Sequence, residues 1–245
     1  MIFKWLSYPR SLIATIIFPI YTVLCAIAVI FLSFTIRKRW LEDQVVYAWA
    51  KGVCWMFGVR VVVKGMENIP PGGCLFVFNH TSFFDIFAMS GWLGSFRFGA
   101  KIELFSIPFF GAAMRRAGIL PIARNRRDEV YKVYSAAEAR IKAGERFALS
   151  PEGTRQSEEI LAPFKAGPFV FAINAKAPLV PVIVKGALAV MPKGRIVPNW
   201  GSWKRTITLE VLPPISTEGH VIDERTRLQE ELRKAMEPYF SGDGF

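Results

Sequence analysis

An uncharged run, SLIATIIFPIYTVLCAIAVIFLSFTI from Ser11 to Ile36, lies between Arg10 and the cations Arg37, Lys38 and Arg39. Such a run must be shielded from water, by a protein core or by lipid. As one helix it would reach about 39 Å, more than the roughly 30 Å hydrocarbon core of a bilayer. It is long enough to span with tilt, and Pro19 offers a break that would leave a shorter re-entrant or interfacial piece. Both arrangements stay open at this level. The run is too long for the apolar stretch of a signal peptide. Behind it, WLEDQVVYAWAKGVCWMFGV (residues 40–59) mixes Trp40, Trp49 and Trp55 with a few charges, the composition of a helix at a membrane interface. Residues 1–59 are therefore expected to form membrane-associated helices, and residues 60–245 the globular domain. The cations after the first helix favour a cytoplasmic body.

The rest of the chain is built to fold. Hydrophobic residues make up 52% and charged ones 21%, which excludes the composition of a disordered chain. The net charge of +11 favours anionic partners. A nucleic-acid binder is not expected, because no base-reading motif accompanies that charge and the apolar N-terminus would be left unexplained. Cys25, Cys54 and Cys74 stand far apart in apolar settings, so neither a disulfide framework nor a metal site is expected.

From about Val61, short apolar runs alternate with turn signals and helical patterns. This predicts an α/β fold, a central mixed sheet flanked by helices. VVVKG (61–65), CLFVF (74–78), 146–150, 179–184 and the alternating Ile207, Leu209, Val211 read as strands, the last near an edge. Helices are expected after Thr81 or Ser82, over 128–142, over 166–175 and over 223–236.

The chemistry concentrates at the ends of these strands. In NHTSFFD, His80 follows a strand and Asp85 falls in the first turn of the helix behind it, where it can fold back onto one imidazole nitrogen. The other nitrogen is then free to take a proton. No Gly-x-Ser-x-Gly elbow and no cysteine beside a base is present, so the nucleophile is expected to be a substrate hydroxyl. Ser82 is the minor alternative, with helix capping its main role. SPEGTRQ (150–156) sets Glu152, Gly153, Thr154 and Arg155 in a loop suited to an anion. GILPIARN ends an apolar run on Arg124, well placed for a phosphate. Lys101 and Glu103 precede Pro108, Phe109 and Phe110, aromatics that suit either an acyl groove or the core.

Taken together and in order, NHTSFFD, KIELFSIPFFG, PIARN, PEGTR and VPV (180–182) resemble the motifs of the glycerolipid acyltransferase family, in particular its 1-acyl-sn-glycerol-3-phosphate acyltransferases. The resemblance covers about residues 60–215. It implies a catalytic dyad at His80 and Asp85, and binding of the phosphorylated acceptor by Arg124, Glu152, Gly153 and Arg155, with Thr154 and Lys101 alongside. It further implies acyl transfer to lysophosphatidic acid giving phosphatidic acid, with acyl-CoA or acyl carrier protein thioester as co-substrate and no cofactor or metal. The expected location is a bacterial inner membrane, catalytic domain on the cytoplasmic side. Ser150 and Ala123 depart from the family pattern, which keeps other lysophospholipids open as acceptors. A lipid-binding protein without turnover is the alternative from another class.

Overall fold

The structure, a computed structural model, describes residues 2–240. Helix α1 (Ile2–Thr35) is continuous and passes through Pro9 and Pro19 without a break. Helix α2 (Arg39–Met56) turns back along it, with Trp49 Nε1 donating to Thr22 Oγ1 at 3.1 Å and Tyr21 OH to the Ala48 carbonyl at 3.0 Å. Then follow β1 (Val59–Lys64), β2 (Leu75–Phe78), α3 (Phe83–Trp92), β3 (Arg97–Lys101), α4 (Phe110–Arg116), β4 (Leu120–Ile122) and α5 (Arg127–Lys142). The chain continues through β5 (Phe147–Leu149), α6 (Gly167–Ala175), β6 (Leu179–Lys185), α7 (Ala187–Val190), β7 (Arg205–Val211) and α8 (Arg225–Met236).

The seven strands form one sheet in the order β1-β7-β6-β2-β5-β3-β4, parallel throughout except between β6 and β7. The sheet is mixed, with helices on both faces. Strand β2 is buried on both sides, which explains its unbroken apolar run. Its alternate residues feed two cores. Phe76 and Phe78 join Val53, Cys54 and Phe57 of the N-terminal segment and Phe84, Phe87 and Met89 of α3. Leu75 and Val77 face the opposite core with Tyr134, Phe169, Phe171, Leu228 and Leu232. The expected boundary near residue 60 thus runs through a shared core, which draws side chains from both sides of it.

Strand β7 alternates as its sequence predicts, with Ile207, Leu209 and Val211 buried and polar residues between. It lies one place in from the edge, which β1 occupies. Strand β3 and helix α4 were not anticipated. Arg97 opens β3 yet is buried, because its guanidinium is held by Asp43 of α2 at 2.6 Å and by Glu145 at 2.9 Å. Burial opposes ionisation of Glu145, but hydrogen bonds from Arg140 and Arg97 outweigh it and hold the carboxyl at about 2. This network ties α2 to the body.

Candidate active site

Strands β2 to β6 run parallel, so the carboxyl ends of β2, β5, β3 and β4 line one edge of the sheet in that order. That edge is where ligands bind in open α/β sheets. It brings the segments after these strands into one row: His80 after β2, Glu152 to Arg155 after β5, Lys101 at the end of β3, and Arg124 after β4.

At the head of the row, Ser82 caps α3, accepting from the Phe84 N–H at 3.2 Å, and Asp85 completes the capping box. Asp85 Oδ2 accepts from the N–H of Thr81 at 2.8 Å and of Ser82 at 2.9 Å, and lies 2.8 Å from His80 Nδ1. Asp85 is fully buried and His80 nearly so. The two backbone donors fix the carboxylate, and the carboxylate fixes the ring. A carboxylate can only accept, so Nδ1 carries its hydrogen and Nε2 is left as the acceptor nitrogen. The offset of five is a consequence of helix capping, since only a first-turn residue can reach back over the loop.

Glu152 is buried, and its carboxylate turns toward the dyad loop, with the His80 N–H 3.3 Å from Oε2. Burial pushes its carboxyl up to about 7, against the pull of that N–H. The neighbouring Gln156 N–H donates to the His80 carbonyl at 2.8 Å. The loop after β5 therefore grips the backbone of His80 from both sides.

Gly153 has φ +71°, a left-handed conformation that suits glycine, and a β-carbon there would come within 2.8 Å of the Lys165 side chain. Thr154 is exposed. Arg155 stacks its guanidinium on the ring of Phe83, 3.9 Å from the centroid, where it feels both Asp85 and Arg124. Lys101 is exposed and paired with Glu103 at 3.2 Å, and Arg124 acts on that same carboxylate. Arg155, Arg124 and Lys101 thus form a basic strip beside the dyad.

Three contributors escaped the sequence reading. Gln156 acts through a contact between distant segments, Lys165 fills the space a side chain at position 153 would need, and Phe83 supplies the platform for Arg155. Phe83 and Gln156 stand inside motifs already singled out, NHTSFFD and SPEGTRQ, but nothing in the sequence marked what they would touch. Asn79 also has a structural task, its amide pairing with both the N–H and the carbonyl of Val184, at 2.7 and 2.8 Å, to clamp β2 to β6.

An acyltransferase family model matches residues 60–185. The chain is 30% identical over 217 residues to the 1-acyl-sn-glycerol-3-phosphate acyltransferase of Pseudomonas aeruginosa, covering 86% of this chain and 79% of that one. It is 32% identical over 166 residues to 1-acyl-sn-glycerol-3-phosphate acyltransferase BAT2 of Brassica napus, covering 66% of this chain. That match spans 48% of the Brassica protein, about half its length. The crystal structure of the 1-acyl-sn-glycerophosphate (LPA) acyltransferase PlsC from Thermotoga maritima superposes with a TM-score of 0.78 at 25% identity, covering 94% of this chain and 96% of that one. With the family model covering over half of its residues and the fold shared along nearly its whole length, the chain belongs to the acyltransferase family.

Proposed function

We propose that the protein transfers an acyl chain from a thioester to the free sn-2 hydroxyl of 1-acyl-sn-glycerol-3-phosphate, forming phosphatidic acid. The observation that carries this reading is the 2.8 Å contact between His80 Nδ1 and a buried Asp85 at the head of a basic strip. His80 Nε2 takes the proton of the hydroxyl as its oxygen attacks the thioester carbonyl, and Asp85 stabilises the imidazolium that forms. Collapse of the tetrahedral adduct breaks the carbon–sulfur bond, and the proton passes from His80 to the departing thiolate. Arg155 and Arg124 hold the acceptor phosphate, with Lys101 at the margin. The donor is a thioester of coenzyme A or of acyl carrier protein.

The substrates reach the site from a membrane in which α1 lies flat. The body touches α1 from Arg10, whose Nη2 donates to the Ser202 carbonyl at 2.9 Å, to Phe34, which carries the Arg116 guanidinium at 4.1 Å. That distance along a helix is about 36 Å. A helix crossing the bilayer would drag the charged body into the hydrocarbon. Away from the buried Ser11, Ala14, Ala26 and Val29, α1 exposes Ile13, Ile16, Ile20, Leu24, Ile27 and Phe31, a stripe suited to the acyl region of one leaflet. The body then sits on the cytoplasmic side of a bacterial inner membrane.

The test offers purified protein a panel of lysolipids with coenzyme A and acyl carrier protein thioesters, and follows products by mass spectrometry and free thiol. Phosphatidic acid with matching thiol release is the expected result. Acylation of another lysolipid in preference to lysophosphatidic acid would overturn the acceptor, and no turnover with any pair would overturn the activity.

A further inference from the structure

Residues 192–204, PKGRIVPNWGSWK between α7 and β7, take no part in the chemistry above. The segment contains no acidic residue and carries Lys193, Arg195 and Lys204. Three of its large apolar side chains point outward: Ile196 is 79% exposed, and Trp200 and Trp203 are 40% and 42% exposed. Single exposed apolar residues are ordinary, but these cluster beside the N-terminal turns of α1. Phe3 and Trp203 rings lie 6.0 Å apart, and Tyr8 and Trp200 rings 4.7 Å apart. The Arg10 guanidinium covers Trp203 and donates to its carbonyl.

The base of the loop is rigid. Asn199 is fully buried, with its N–H donating to the Val190 carbonyl at 2.7 Å and its amide to the Phe57 carbonyl at 2.6 Å. At the start of the loop, the Met191 carbonyl accepts from Ser82 Oγ at 3.0 Å, the residue that caps the dyad helix.

We infer that this loop is a second membrane-inserting element, placing Ile196 among the acyl chains and Trp200 and Trp203 at headgroup level. Its three cations face anionic phospholipid headgroups. Tryptophan suits that position because its ring is apolar while its N–H needs a polar partner. With α1, the loop gives the body two points of attachment, and through Met191 and Ser82 it sets the depth of His80 relative to the leaflet. The inference rests on the membrane placement of α1 proposed above.

The experiment uses the full chain in vesicles of phosphatidylcholine and phosphatidylglycerol, with Cys25→Ser to remove the one cysteine that is not fully buried. Nitroxide labels are attached to Ile196→Cys, to Ile16→Cys on the outward face of α1, and to Asn174→Cys, an exposed position on α6. Accessibility to oxygen and to a water-soluble nickel complex is read by electron paramagnetic resonance. Labels at 196 and 16 should both favour oxygen severalfold over the label at 174. A label at 196 that matches 174 while 16 remains in lipid would overturn the loop's insertion alone. Aqueous signals at both 196 and 16 would overturn it together with the placement of α1. In parallel, Ile196→Asp should lower acylation of vesicle-borne acceptor severalfold relative to detergent-dispersed acceptor, and an unchanged ratio would count against the loop's role in depth.

Discussion

Replacing Glu152 with Gln should change how stability depends on pH, because burial raises the Glu152 carboxyl from 4.5 to about 7. Its folded-state affinity for a proton exceeds that of the unfolded chain. Its contribution to stability is therefore complete below about 4.5, is lost progressively as pH rises toward 7, and is absent above. Each tenfold in proton affinity is worth about 1.4 kcal/mol, so between pH 5 and pH 8 the wild-type protein should lose roughly 2 to 3 kcal/mol through this group. Gln keeps a side-chain oxygen to accept from the His80 N–H and does not titrate, so its effect is a constant offset. For a protein of this size, about 1 kcal/mol shifts Tm by about 2 to 4 °C. The Tm of Glu152→Gln minus that of wild type should thus rise by about 5 to 10 °C between pH 5 and pH 8, read by circular dichroism in one detergent. Other carboxylates titrate in both proteins and cancel in the difference. Parallel Tm curves across that range would refute a buried, proton-retaining Glu152.

His80→Ala should lower kcat/KM by at least about 100-fold with little change in Tm, and near-normal turnover by the folded variant would sink the dyad. Asp85→Ala should also cost stability, about 2 kcal/mol or more, because the N–H groups of Thr81 and Ser82 lose their acceptor; equal Tm values for the two alanine variants would contradict that role. Arg124→Lys and Arg155→Lys should raise KM for the acceptor more than for the donor, since an ammonium cannot reproduce a guanidinium fork, and an equal rise in both would remove these arginines as acceptor ligands. Washing membranes with about 1 M salt should not release the protein, because charges are screened within about 3 Å there while the apolar face of α1 is unaffected; release without detergent would refute hydrophobic anchoring.

Local sequence determined the features that depend on neighbours along the chain. The capping box over Ser82 and Asp85 needs only one helical turn, so the placing of Asp85 near His80 was legible from the six residues His80 to Asp85. The apolar runs of β2 and β6 and the alternation of β7 announced a sheet, since a side chain's face is set by its own position in the strand. Strand β3 was hidden because RFGAK is neither apolar nor alternating; Arg97 is admitted to the interior only by Asp43 and Glu145, which lie 54 and 48 residues away. Likewise the sequence marked Glu152 as a loop residue beside Arg155. Its approach to the His80 backbone, 72 residues distant, required β5 to pair with β2. Hydropathy alone left α1 free to cross a bilayer or lie in it, because an apolar side chain is equally content in either. The flat placement proposed for α1 rests instead on tertiary contacts from Arg10 to Phe34, since a helix held along its length by a charged body can turn only one face to lipid.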